Sequence, residues 1–307
     1  MSTQTPLFEP NGVLVVNKHE GPTSHDIVNM VRKLYHTKKV GHTGTLDPMA
    51  TGVLVVLIGR AAKAAEYLVS DEKKYRATLR LGLVTDTQDI TGKVTAEHTG
   101  ALPSSDEVIE VCKSFVGKSE QLPPMYSAIK VGGRKLVDLA RKGTEINRGM
   151  RPIEIFSIEC SKVNETDYSL DVHCSSGTYI RTLCQDIGEK LGCGGTMATL
   201  CRTETGGFSI SESFTVDELK EMTEQELLSR LIKAESLFSS LPSVNLPAFY
   251  EKLCRSGCEI YQKKLRTDIP LGTRVRICSE DGEFFALGEV SEYENGPAIK
   301  AIKTFKL

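Results

Sequence analysis

A single carboxylate, Asp47, sits where chemistry would be placed: in Gly41-His42-Thr43-Gly44-Thr45-Leu46-Asp47-Pro48-Met49-Ala50-Thr51-Gly52-Val53-Leu54, a stretch rich in residues for turning and close approach. Its three glycines permit positive φ or backbone contact with a ligand, and Pro48 pushes Asp47 toward extended backbone. The hydroxyls of Thr43, Thr45 and Thr51 can satisfy loop amides, and the apolar run 53–58 reads as a buried strand or helix behind the loop. A carboxylate held this way can serve as a nucleophile. The bland reading is a tight turn with Asp47 as its Asx cap, and for an arbitrary loop of this composition that reading is the commoner one.

Before the loop, Val13-Leu14-Val15-Val16 is a short buried strand leading through a turn to a helix capped at Thr23 or Ser24, with Ile27, Val28, Val31 and Leu34 at helical spacing. A helix is expected over 61–69. Lys73 to Leu81 alternates polar and apolar as a half-buried strand, with Tyr75 an ordinary core tyrosine on that view. Asp89-Ile90-Thr91-Gly92 reads as a turn without chemistry, and Ser104-x-x-Glu107 as a capping box opening a helix that Gly117 ends. Prolines at 123 and 124 and the pair Gly132-Gly133 frame a basic hairpin or flap, with helix from Lys135 to Lys142. Tyr168 to His173 is a strand, and Asp186 to Leu191 a helix. Thr215-x-x-Glu218 caps an acidic helix, a second helix over 224–235 precedes a linker at 241–247, and beyond it Asp281-Gly282 and Asn295-Gly296 mark hairpins of a small all-β unit.

Composition is that of a soluble globular chain: 40% hydrophobic, 25% charged, net charge −2. No apolar run could span a bilayer and no leader pattern opens the sequence, so no membrane and a cytoplasmic location are expected. The nine cysteines form no C-x-x-C pair, which points to reduced, buried thiols rather than disulfides or zinc. Charge is unevenly spread. Residues 130–151 carry seven bases against two acids, whereas 212–235 carry seven acids against three bases. A polyanion would be oriented by that asymmetry, although charge runs are usually solvated faces.

The loop at 41–54 resembles the catalytic-loop signature of the TruB family of tRNA pseudouridine synthases. Further matches are N-K-x-x-G-x-T-S at 17–24, K-x-Y-x-A-x-x-x-L-G-x-x-T-D-T at 73–87, P-P-x-Y-S-A-x-K from Pro123, and S-x-G-T-Y-I-R-x-L from Ser175. The likeness is dense over 11–208. It implies an α+β pseudouridine synthase catalytic domain over 1–240, with a mixed, mostly antiparallel sheet flanked by helices and an RNA-binding thumb at about 124–152. A small all-β PUA-like domain would follow over 250–307. It implies Asp47 as nucleophile, Tyr75 stacking on the target base or acting as a base, and Arg181 pairing with Asp47. His42, Tyr179, Leu200, Lys18, Arg141 and Arg202 are implied as substrate contacts, His42 as the wedge that fills the place of an extruded uridine. A guanidinium beside Asp47 would keep it ionised below the ordinary aspartate value of about 3.9.

The implied reaction converts uridine to pseudouridine at position 55 in the T-loop of tRNA. It breaks the N1–C1′ bond and rejoins the base through C5, with Asp47 attacking C1′ or assisting loss of the base. No redox change occurs and no group enters, so no cofactor or metal is called for, and none of the phosphate-loop or dinucleotide motifs is present. tRNA is the expected partner, with the chain a monomer. Two rivals remain: a guide-RNA-dependent synthase, disfavoured by the lack of long basic tails, and a non-catalytic RNA-binding or RNA-folding protein. No guide RNA is expected.

Overall fold

The computed structural model describes residues 10–67, 72–127, 129–140, 143–144 and 146–305. Strand β1 (Gly12–Lys18) leads to helix α1 (Ser24–Leu34), whose cap is Thr23: its hydroxyl accepts from Asp26 N while Asp26 reaches back to the Thr23 amide. Strands β2 (Val40–Thr43) and β3 (Thr51–Ile58) flank the Asp47 loop. The helix expected after β3 is a 3₁₀ segment, Gly59–Glu66, burying Ala61 and Ala64, an i,i+3 spacing that suits three residues per turn; 68 and 69 lie outside the described residues.

Strand β4 (Glu72–Leu81) carries Tyr75, and β5 (Leu83–Thr85) and β6 (Val94–Glu97) form a side hairpin. Helix α2 (Ser105–Lys113) opens on the Ser104–Glu107 capping box, and β7 (Gly117–Gln121) follows. The flap contains β8 (Lys130–Val131), β9 (Arg134–Lys135) and α3 (Leu136–Ala140). Then come β10 (Arg151–Lys162), β11 (Asp167–Ser175), α4 (Ile180–Lys190), β12 (Gly195–Thr205), β13 (Phe208–Ser209), β14 (Phe214–Thr215), α5 (Val216–Glu221) and α6 (Glu224–Ser229).

Ten strands make one sheet along the path β14-β1-β3-β12-β4-β11-β10-β7, with β2 on β3 and β13 on β12. The β1–β14 and β3–β12 pairs are parallel and the others antiparallel, the mixed sheet expected. Burial explains the sequence texture. In β1, Leu14 and Val16 join the core beneath α1 and α4, while Val13 and Val15 join a second core on the opposite face with Phe238, Phe284 and Phe305. Both faces are covered, so β1 and β3 read as unbroken apolar runs. β4 keeps one face in solvent, so it alternates.

The second core belongs partly to a five-stranded sheet, β15 (Ser243–Asn245), β17 (Arg274–Cys278), β18 (Phe284–Tyr293), β19 (Gly296–Thr304) and β16 (Ile260–Tyr261) in that order. It is the small sheet unit anticipated from the hairpins. The expected linker contributes a strand to it, because β15 pairs in parallel with β17. The helix expected over 224–235 stops at Ser229, because Val13 and Ile232 exchange N–H···O bonds of 2.8 and 2.9 Å and pull the chain onto the sheet edge. All nine cysteines are free and only Cys258 is exposed. No helix among the described residues is long and apolar enough to cross a membrane.

Candidate active site

The Asp47 loop is held from beneath by donors aimed at its carbonyl oxygens. Lys18 Nζ donates to the carbonyls of Ala50 at 2.6 Å, Pro48 at 3.0 Å and His19 at 3.1 Å. Arg202 Nε donates to Val53 O at 2.8 Å and its Nη2 to Gly44 O at 3.0 Å. Ser24 Oγ donates to Leu46 O and accepts from Leu46 N. Ala50 N closes a turn onto Asp47 O at 3.0 Å. Of the three glycines, Gly44 and Gly52 take φ of 71° and 96°. A Cβ on Gly52 would stand 2.2 Å from Arg202 O, whereas one on Gly41 would meet nothing within 4 Å. Lys18 and Arg202, expected among the substrate contacts, are thus fully buried under the loop and do not line the cavity. Burial pulls the Lys18 ammonium down to about 8 despite the nearby Asp47 carboxylate.

Arg181 lies in the first turn of α4, which begins six residues earlier than the helix expected from Asp186, because Ile180, Leu183, Cys184 and Ile187 form its buried stripe. Its guanidinium is almost wholly buried and bridges two carboxylates: Nη2 is 3.1 Å from Asp47 Oδ2, and Nη1 is 3.6 Å from Asp89 Oδ2. Nη2 also donates to Tyr126 O at 2.7 Å, tying the base of the flap to the ion pair. Asp89 is locked in turn by Thr87 Oγ1 at 2.9 Å and by the amide and hydroxyl of Thr91, in a loop where Gln88 takes φ 66°.

Asp89, which the sequence presented only as a turn residue, is thus part of the same ion cluster. The carboxyl of Asp47 is pushed up from its ordinary value, chiefly by burial and further by Asp89, with Arg181 and Lys18 opposing. This reverses the expected direction: although 37% of the side chain still faces the cleft, the carboxylate is enclosed and shares its guanidinium with a second anion.

Above this pair opens a cavity of about 260 Å³ lined by the loop 44–47, by Lys73, Tyr75, Ser127 and Leu200, and by residues 177–181. Tyr75 faces it from β4, where burial pushes the phenol up and keeps it protonated, which favours a stacking surface over a base. Tyr179 is fixed by Gln121, whose amide donates to Tyr179 O at 3.1 Å and accepts from Tyr179 N at 2.8 Å.

Lys73, not singled out from the sequence beyond the K-x-Y match, brings a half-buried ammonium to the wall and donates to Ser176 Oγ at 3.0 Å. His42 is outside this lining but on the adjoining strand β2, with Nδ1 buried and unpartnered; burial, and after it Arg202 and His25, pull the imidazole down, so it is neutral near pH 7. Arg141 lies outside the described residues.

A base can be detached from and returned to its own sugar without redox chemistry by a carboxylate fixed at the floor of a one-base cavity. The proteins that build such a site on this mixed sheet are pseudouridine synthases. Residues 32–180 match the model of the TruB family pseudouridylate synthase N-terminal domain, and 181–238 match that of the tRNA pseudouridylate synthase B C-terminal domain. A curated relative named tRNA pseudouridine synthase B from Clostridium tetani is 44% identical over 279 residues, covering 91% of this chain and 95% of its own. One of the same name from Alkaliphilus oremlandii is 43% identical over 296 residues, 95% and 98% of the two chains. Among solved structures, a Cbf5–Nop10–Gar1 complex superposes with TM-score 0.72 at 27% identity, covering 96% of this chain and 85% of that one. The chain belongs to the TruB family of pseudouridylate synthases.

Proposed function

We propose that this enzyme isomerises uridine 55 in the T-loop of tRNA, with Asp47 as the nucleophilic carboxylate. The observation that carries the reading is the Asp47–Arg181 pair at 3.1 Å in the floor of a cavity flanked by Tyr75 and Leu200. At about 260 Å³ the cavity is near the small end of ligand sites, which run roughly 300–1,000 Å³, and accommodates one flipped base. Asp47 meets the sugar carbon as the N1–C1′ bond breaks, Arg181 orients the carboxylate and balances its charge, and Tyr75 stacks on the uracil. C5 then bonds C1′, N1 gains a proton and C5 loses one, so the product is an isomer. tRNA is assigned as partner from the names of the relatives and from the basic flap, which supplies phosphate contacts in a thumb over about 124–152.

The test is incubation of the purified chain with an unmodified tRNA transcript and no guide RNA. Pseudouridine is expected at position 55, and Asp47→Asn should abolish it while tRNA affinity stays within a few-fold, because phosphate contacts are untouched. Turnover appearing only when a guide RNA is added would favour the guide-dependent reading.

A further inference from the structure

Five buried side-chain polar atoms among the described residues complete no hydrogen bond, and their distribution is uneven. Ser127 Oγ, Thr178 Oγ1 and Arg181 Nε all belong to residues lining the cavity above Asp47. Ser127 and Thr178 are 5% and 9% exposed. The Tyr179 phenol and the Cys174 thiol stand near enough to feel these hydroxyls, yet neither closes a bond of proper geometry. A buried polar group without a partner is destabilising, and alanine or valine would remove that cost, so the clustering of such groups at one cavity indicates a partner that arrives with the substrate and meets the hydroxyls once their side chains turn toward it.

We propose that the hydroxyls of Ser127 and Thr178 hydrogen-bond the uracil edge formed by O2, N3–H and O4, and hold the detached base while it turns. This rests on the pseudouridine synthase reading above. The two hydroxyls come from different elements. Ser127 belongs to the base of the flap, its carbonyl accepting from Val137 N at 3.1 Å, and Thr178 to the turn between β11 and α4. Rotation of uracil about the axis through N3 and C6 carries C5 to the place of N1, exchanges O2 with O4, and leaves N3–H where it was. The edge therefore presents acceptor, donor, acceptor both before and after the turn. A hydroxyl donates and accepts, and its proton rotates freely, so the same two groups serve both orientations without favouring either. Arg181 Nε–H, a donor only, adds a fixed partner for whichever carbonyl lies beside it.

The test measures single-turnover pseudouridine formation on a T-arm stem-loop RNA, with uridine or 4-thiouridine at the target, in the full chain and in Ser127→Ala, Thr178→Val, Thr178→Ser and the Ser127→Ala/Thr178→Val pair. Each deletion should slow uridine turnover roughly tenfold, the worth of one hydrogen bond of ordinary strength, while the RNA Kd stays within about twofold because phosphates set it. Thr178→Ser should keep the wild-type rate. Sulfur accepts poorly, so 4-thiouridine should slow the wild type, and the double variant should show no further loss. Variants at the wild-type rate, Thr178→Ser as slow as Thr178→Val, or a double variant still penalised by 4-thiouridine would each overturn the proposal. Failure of the wild type itself to form pseudouridine on either the stem-loop or full tRNA would instead bring down the functional reading, and this proposal with it.

Discussion

The chemistry of the site turns on how one guanidinium is divided between two anions. Burial raises the Asp47 carboxyl and the Asp89 charge raises it further, so the ionised Asp47 that the proposed reaction uses is lost as pH falls through a value above the ordinary 3.8. Removing the charge with Asp89→Asn should lower the Asp47 pKa and move the acid limb of the pH–rate profile to lower pH. The maximal rate should fall as well, since Arg181 loses one of its anchors; a limb that stays in place would mean the two carboxylates do not interact.

His42 is the second residue whose role a titration decides. Burial pulls its imidazole below the ordinary histidine value, so any ionisation that His42→Ala removes from the pH–rate profile should lie on the acid side of 6.5. As a wedge offsetting an unstacking cost of a few kcal/mol, it should matter more on full tRNA than on a short stem-loop. Equal losses on the two RNAs would rule the wedge out. The contact between Asp47 and Arg181 was legible from the family motifs. Asp89 was not, because its importance is a contact with a helix distant in sequence, and nothing in Asp-Ile-Thr-Gly distinguishes it from a turn.

At the scale of elements, the Asp47 loop is held by the buried donors behind it. Gly52→Ala should be among the most damaging small substitutions: φ 96° alone costs on the order of 1–3 kcal/mol, and the new Cβ would collide with Arg202 O. Gly41→Ala, with ordinary φ and open space, should leave melting temperature and activity near wild type. Thermal melts of the pair, read beside turnover, check this; equal effects would refute the picture. The sequence showed that glycines mattered here but not which ones, since that depends on where Arg202 crosses the loop. Elements with strong local signals, such as the capped starts of α1, α2 and α5, were readable in advance. The start of α4 and the end of α6 were not, because burial of Ile180 and the pairing of Ile232 with Val13 override local pattern.

For the whole molecule, charge asymmetry becomes a prediction about salt. Arg148 is already engaged with Pro123 O at 3.0 Å, so part of the basic count in the flap is structural. Replacing Arg134, Arg141 and Lys142 with alanine should weaken tRNA binding and flatten its dependence on salt, by roughly 0.7–0.9 of a log-log unit for each phosphate that the variant no longer neutralises. An unchanged slope in binding titrations from low to moderate salt would mean an ordinary solvated face. The C-terminal sheet was foreseeable from its hairpin signals, and the mixed sheet from the family resemblance. Their joining through one apolar layer was not, because it depends on Phe284 and Phe305 reaching the back of β1 and β3.

The inward-facing carbonyls of the catalytic loop have a consequence for its outer surface. The chain contains no cis peptide bond among the described residues, and in a trans peptide the N–H points away from the C=O. With the oxygens of Gly44, Leu46 and Pro48 turned toward Arg202, Ser24 and Lys18, the amide hydrogens of Thr45, Asp47 and Met49 are turned the other way. Three of the loop's peptide dipoles thus turn their N–H ends away from the donors beneath, whereas the Thr45–Leu46 unit, whose N–H goes to Ser24 Oγ, turns the other way. A sugar-phosphate backbone laid across those three units would meet main-chain donors, with the two cations that orient the Gly44 and Pro48 carbonyls hidden beneath.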